Sequence, residues 1–317
     1  MALHHRRLAP YRTRRETMMK RPVPVRGETP KERWVDVEGT RTRYLETGQG
    51  APVLLIHGEG SVSEQWYGIL EGLATSHRVV AVDLPGYGYS ERITDASPAG
   101  MATFVWNFAR AVGAERPVVV GHSFGGAVAV HMALQRPDHV PSLVLISSAG
   151  MGRAINPAMV ILAVTPLGDL TKWLIPRLPS GPRLLVASVA VLGASRPWRL
   201  PSAWWRSQVK AVSSPEALPT TLRSERATVG LLGQKNLLTG RLPELPMPTL
   251  VAWGLQDLLV PFWQGIGARR RLRNGQLKVI PCTGHLMPTE AAGELLKTLR
   301  PFLLHSGHSM TTTEQRR

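Results

Sequence analysis

Polar and apolar positions alternate at residues 33–38 and again at 41–46, on either side of Gly39-Thr40, which predicts a β-hairpin. After Gly50 the pattern changes. Residues 52–57, 78–82, 117–120 and 143–146 are short, nearly wholly apolar runs, the signature of strands buried on both faces inside a parallel sheet. Helical spacing fills the gaps. Trp66, Ile69, Leu70 and Leu73 share one face behind a capping Ser63, and Phe104, Val105, Phe108 and Val112 share another over 99–112. A third helix runs from the end of the 117–120 strand to about Gln135, where Arg136-Pro137 stops it. From 52 to 150 the order is β-α-β-α-β-α-β, which implies a mostly parallel sheet with helices on both faces. Ligands on such sheets sit at the carboxyl ends of the strands. His57-Gly58, Asp83 and Ser123 each follow a strand and so converge on that edge.

The alternation stops between 151 and 245. This stretch is apolar and rich in proline, with Trp173, Trp198, Trp204 and Trp205. It predicts short helices at 158–164, 167–174, 184–192, 204–212 and 222–232, set over the sheet edge as a helical cap. The sheet resumes with strands at 248–253 and 277–280, separated by a helix at about 262–272 and followed by a closing helix at 290–303. The expected division is a core at 31–150 and 246–304, a cap at 151–245, and disordered tails at 1–30 and 305–317.

Composition changes this picture little. The net charge of +16 raises nucleic acid or an anionic membrane as partners. Much of it lies in residues 1–26, where eight Arg or Lys face one acid, Glu16, and no aromatic residues interleave with a basic groove. A solvated tail, capable at most of weak surface association, is the expectation, with no nucleic-acid partner. The longest apolar run near the middle, 184–194, is shorter than the about 20 residues of a bilayer span. No apolar stretch of signal-peptide length opens the chain. The single cysteine, Cys282, forbids an intrachain disulfide; it reads as a small buried filler in a cytoplasmic protein. No cluster has metal-ligand spacing, and neither Gly58-Glu59-Gly60-Ser61 nor the Asp83 loop completes a nucleotide fingerprint, so no cofactor is expected.

The candidate chemistry sits on Val118-Val119-Val120-Gly121-His122-Ser123-Phe124-Gly125-Gly126. A serine between strand and helix, with glycines two residues before and after, stands on a tight turn that lifts its hydroxyl above the sheet. Serine needs a base, and the base an orienting acid. Asp257 and His285, each just past a later strand, supply both in the chain order Ser, Asp, His.

These segments resemble the α/β-hydrolases from about residue 33 to 304. They are Leu55-Ile56-His57-Gly58, the loop from Asp83 to Ser90, Gly121-His122-Ser123-Phe124-Gly125-Gly126, Ala133 to Pro137, Trp253 to Asp257, and Gly284-His285. The resemblance implies the α/β-hydrolase fold with a helical cap, Ser123 as nucleophile, His285 as general base and acid, and Asp257 as orienting carboxylate. The oxyanion hole is expected from the backbone N–H of Phe124 and one from Glu59 or Gly60. The implied activity is a cofactor-free serine hydrolase acting on a small hydrophobic ester, the apolar, Trp-rich 151–245 stretch favouring a hydrophobic substrate. Two alternatives stand beside it: a C–C bond hydrolase of the meta-cleavage-product type, and a non-catalytic ligand-binding protein on the same fold.

Overall fold

The computed structural model describes residues 29–314, with side chains through residue 304. Most of the expected 1–30 tail therefore lies outside the described residues. The hairpin forms as expected, β1 (Lys31–Val37) against β2 (Thr40–Thr47), with Glu38 and Gly39 both at positive φ in the turn. Then follow β3 (Pro52–Ile56), α1 (Tyr67–Leu73), β4 (Arg78–Val82), α2 (Pro98–Ala111), β5 (Val118–His122), α3 (Phe124–Gln135) and β6 (Leu143–Ile146). Ser63 opens a 3-10 turn, Ser63–Trp66, ahead of α1, and is held there through its N–H by Asp83 Oδ1 at 2.8 Å.

Between β6 and the next sheet strand the chain is helical: α4 (Pro157–Val164), α5 (Pro166–Leu174), α6 (Gly181–Gly193), α7 (Ser202–Val212) and α8 (Ala217–Thr228). Sequence periodicity carries the last of these helices to 232. Instead it ends at Thr228 and a two-residue hairpin follows, β7 (Val229–Gly230) with β8 (Gly233–Gln234). Gly233 and Asn236 adopt positive φ, which helix cannot use, and the Gln234 side chain ties the hairpin to Gly150 N and Ala154 O. The core resumes with β9 (Thr249–Gly254), α9 (Trp263–Arg271), β10 (Gly275–Ile280), α10 (Met287–Glu290) and α11 (Ala292–Glu314). The backbone of α11 thus stays helical beyond residue 304, where the sequence reading begins a frayed tail.

The eight-stranded sheet has the order β1-β2-β4-β3-β5-β6-β9-β10. β2 runs antiparallel to β1 and β4; every other pair is parallel. The inner strands β3, β4, β5, β6 and β9 are buried on both faces, as their apolar runs require, whereas the edge strands β1 and β10 are largely exposed. Leu54, Ile56, Val80, Val82, Val119 and Leu145 point to α2, α3 and α9, whereas Val53, Leu55, Val79, Val120, Val144 and Ile146 point to α1 and α11. Each fully buried Val or Leu contributes about 1.5–3 kcal/mol relative to exposure.

Register sets the functional edge. Ile56 lies opposite Val82 and Gly121, His122 opposite Ile146, Ile146 opposite Ala252, and Gly254 opposite Ile280. The strands therefore end level, and the loops that follow share one rim.

Candidate active site

Ser123 has φ 53° and ψ −120°, a conformation costly for a residue with a Cβ. Its neighbourhood enforces it. A Cβ on Gly121 would collide with the Gly125 carbonyl, and one on Gly125 with the carbonyls of Ile56 and His57. Only glycine allows α3 to lie this close to β3 and β5. The turn is tied down on both sides: Ser123 N donates to Ile146 O, and Ser123 O accepts from Gly126 N and Ala149 N, all at 2.9 Å. Phe124 is the first residue of α3, so its N–H has no carbonyl one turn back to pair with. The loop after β3 passes beside this point; a Cβ on Gly58 would sit 3.1 Å from Ser123 Cβ.

Asp257 and His285 come from loops after β9 and β10 that are zipped together. Leu255 N donates to Ile280 O at 3.0 Å and Gln256 N to Thr283 O at 2.9 Å. Thr283 N returns to Gln256 Oε1 at 2.9 Å. The approach is so close that a Cβ on Gly254 would strike the Thr283 and Gly284 carbonyls. At the end of this zipper His285 Nδ1 meets Asp257 Oδ2 at 2.8 Å. Asp257 Oδ1 accepts from Leu259 N at 3.0 Å and Val260 N at 2.8 Å, and the buried Trp253 indole fixes the Val260 carbonyl at 2.9 Å. With no exposed side-chain surface, Asp257 is held by three hydrogen bonds in one orientation. Nδ1 of His285 is occupied by Asp257, which leaves Nε2 for a group in the cavity it shares with Ser123.

The remaining histidines of the rim are braces. Leu84 N donates to His57 Nε2 at 2.9 Å, so that ring carries its proton on Nδ1, 2.7 Å from Gly58 O. His122 Nε2 donates to the His285 carbonyl at 2.8 Å, tying the strand before the serine to the backbone of the second loop. Burial lowers the pKa of both, well below the usual range for His122, where the neighbouring His285 adds to the effect. Asp83 is also structural: Arg43 Nη1 pairs with its Oδ2 at 3.0 Å.

Behind Glu290 another brace appears that sequence reasoning missed. Its Oε1 accepts from Gly284 N at 2.7 Å and its Oε2 from Ser195 N at 3.0 Å. One carboxyl thus joins the His285 loop to the segment after α6. Cys282, expected as buried filler, is instead exposed at positive φ in the turn that leads to His285. The turn spends its inward positions on Thr283, Gly284 and His285, which leaves Cys282 facing out.

A cavity of about 270 Å³ lies between the rim and helices α4 to α8. Ser123, Phe124, His285, Glu59 and Gly60 all line it. The rest of its wall is mostly aliphatic, from Met159, Leu162, Val186, Val189 and Leu222 among others. Of its polar exceptions the sequence singles out Glu59, but not Glu225 or Gln208. The Glu59 carboxylate accepts a hydrogen bond from Ser224 Oγ, which lies 2.7 Å from Tyr87 Oη. Burial raises the Glu59 pKa well above the carboxylate range, and the charge of Glu225 adds to the shift. Burial likewise raises Glu225 to about 7. Gln208 Nε2, buried in the same wall, has no hydrogen-bond partner among the described residues. On a helix map Glu225 falls among ordinary polar positions; only the packing of α8 turns it inward.

Among the described residues no group of three or more His, Cys, Asp or Glu is placed to hold a metal ion.

A level parallel rim, a strained serine on a strand-to-helix turn and a carboxylate-bound histidine together define the class. The family model described as alpha/beta hydrolase fold matches residues 51–292, and the chain belongs to that family and is a hydrolase. Over 125 residues it is 45% identical to the dihydrolipoyllysine-residue acetyltransferase component of the acetoin cleaving system of Cupriavidus necator. That match spans 39% of this chain and 33% of the relative, well under two thirds of its length. The 2-hydroxymuconate semialdehyde hydrolase of Pseudomonas sp. strain CF600 is 28% identical over 275 residues, 84% of this chain and 91% of that one. Among solved structures, a bacterial membrane phospholipase A superposes with a TM-score of 0.73 at 26% identity, covering 88% of this chain and 87% of the other.

Proposed function

We propose that the protein is a serine hydrolase that cleaves a hydrophobic small-molecule carboxylic ester through an acyl-enzyme. The observation that carries this reading is the 2.8 Å contact from His285 Nδ1 to a fully buried Asp257, with the histidine opening onto the cavity that Ser123 also lines. Ser123 Oγ attacks the ester carbonyl carbon as its proton passes to His285 Nε2. The negative charge that develops on the carbonyl oxygen is met by the N–H of Phe124 and that of Glu59 or Gly60; losing one such donor costs about 3–4 kcal/mol of transition-state stabilisation. Asp257 keeps the imidazole in the tautomer that accepts this proton and stabilises the imidazolium. The tetrahedral intermediate collapses, His285 returns the proton to the departing alcohol, and the acyl group stays on Ser123. Water, deprotonated by His285, attacks the acyl carbon, and the carboxylic acid leaves as the Ser123 hydroxyl reforms. The aliphatic cavity wall supports an apolar acyl or alcohol portion. On this reading the helices from 151 to 245 act as a cap that supplies most of that wall.

The second reading is a C–C bond hydrolase acting on a vinylogous diketone. Its support is the end-to-end similarity to the semialdehyde hydrolase. One experiment separates the two. The protein is treated with a fluorophosphonate probe and assayed against aryl esters of increasing acyl length and a ring-cleavage diketone, beside Ser123→Ala. Labelling with ester turnover, both lost in Ser123→Ala, supports the first reading. Turnover of the diketone with negligible esterase activity supports the second, and no labelling or turnover at all would falsify both.

A further inference from the structure

The outer surface of α4, α5 and α6 is unlike the surface of a solvated helical segment. Leu167, Leu170 and Leu174 lie along one face of α5, at i, i+3 and i+7, and are 47%, 51% and 37% exposed. Trp173 beside them is 54% exposed. On α6, Leu184 and Val191 are each 63% exposed, and Trp198 just beyond is 77% exposed. Single exposed apolar residues need no explanation; this many on consecutive elements mark an interaction surface.

Charge identifies the partner. Between residues 157 and 193, the span of α4 to α6, the basic side chains Lys172, Arg177 and Arg183 stand against one acid, Asp169, and Arg196 and Arg199 follow just beyond. That acid is already taken by Arg226 at 2.5 Å and Lys172 at 3.2 Å. Arg177 stacks its guanidinium over the Trp173 ring at 4.4 Å, which joins a cation to an aromatic anchor. Exposed leucine and tryptophan interleaved with arginine is the composition of a surface that lies in the headgroup boundary of an anionic bilayer. Among the described residues no single helix is long and apolar enough to cross a membrane, and the one apolar pair that reaches that length, Pro157–Val164 with Pro166–Arg177, is bent by 89°.

The same helices form the cavity wall. Leu185, Val189 and Leu192 of α6 line the cavity, and Val189 and Leu192 are still 40% and 36% exposed. The apolar cavity lining therefore continues out to the apolar surface. We propose that the outer face of α4 to α6 docks on an anionic phospholipid surface, with the cavity opening beside it, so that membrane-dissolved apolar ligands enter without crossing bulk water.

The full chain is sedimented with vesicles of phosphatidylcholine, with and without phosphatidylglycerol. Binding is expected to the anionic vesicles and to weaken as salt rises. Arg177→Gln with Arg183→Gln should weaken it about thirtyfold, the effect of two surface cations. Leu184→Ser with Val191→Ser should weaken it with no change in the circular dichroism spectrum or melting temperature. Binding unchanged in both double variants and lost on deletion of residues 1–26 would assign it to the basic N-terminal segment and overturn the proposal. A dimer by light scattering that ignores vesicles would overturn it too, assigning the apolar face to a second copy of the chain.

Discussion

Glu59 and Glu225 both line the mostly aliphatic cavity, where burial raises the pKa of each carboxyl and the charge of Glu225 raises that of Glu59 further. Glu59 reaches this place from the loop after β3 and Glu225 from α8, so the pair joins the sheet rim to the helices above it. The groups that face it are Ser224 and Tyr87, which are neutral, and Arg226, whose charge partly offsets the shift at Glu225.

This pair gives stability a pH dependence of definite sign. The folded state keeps the Glu225 proton up to about pH 7, while the unfolded chain releases it near 4.5. Between these values the folded state binds more protons, so raising the pH removes stability, by up to about 1.4 kcal/mol per unit. Glu225→Gln keeps the neutral shape and removes this term. Urea unfolding at pH 5 and pH 8 should show the variant gaining on the parent by roughly 2–3 kcal/mol at the higher pH. Parallel pH profiles for the two proteins would mean that Glu225 is solvated and ionised in the fold.

Asp257→Asn tests the histidine's orientation. The amide oxygen can still accept from Leu259 and Val260, so the loop should hold. Its NH2 now faces His285 Nδ1 and favours the tautomer with the proton on Nε2, which cannot take one from Ser123. Ester turnover should fall by about 10⁴ in kcat with the melting temperature little changed. A loss below tenfold would show that another group orients His285.

Gly254→Ala places a methyl against the Thr283 and Gly284 carbonyls. Relief requires the two loops to part, at a cost of about 1–3 kcal/mol in stability. Because the same zipper carries Asp257 and His285, kcat should drop alongside the melting temperature. Wild-type turnover in a destabilised variant would separate the zipper from the chemistry.

Glu290 acts through others, as a positioning residue. Glu290→Ala frees Gly284 N and Ser195 N, and kcat should fall about tenfold with KM nearly constant, an error in geometry rather than in binding. Glu290→Gln keeps one acceptor and should recover part of the rate. Equal effects of the two substitutions on stability and none on kcat would make the contact merely structural.

The amino-acid sequence alone determined the parallel sheet, its flanking helices and the strand ends at which Ser123, Asp257 and His285 stand. Those features are local: apolar runs, helical periods and glycines at a tight turn are written within a dozen neighbouring residues. The glycines two residues before and after Ser123, read as the mark of a tight turn, stand where a Cβ would strike the backbone of Gly125 or of Ile56 and His57. Tertiary structure decided what depends on distant chain segments meeting. The zipper that sets Asp257 against His285 depends on level strand ends, the burial of Glu225 on how α8 rolls, and the exposure of Cys282 on which residues of its turn face inward. The end of α8 and the hairpin after it were hidden for the same reason: Gln234 fixes them through Gly150 and Ala154, some eighty residues earlier in the chain. Side-chain burial and carboxyl ionisation are properties of a neighbourhood assembled from remote segments, and no local pattern encodes them.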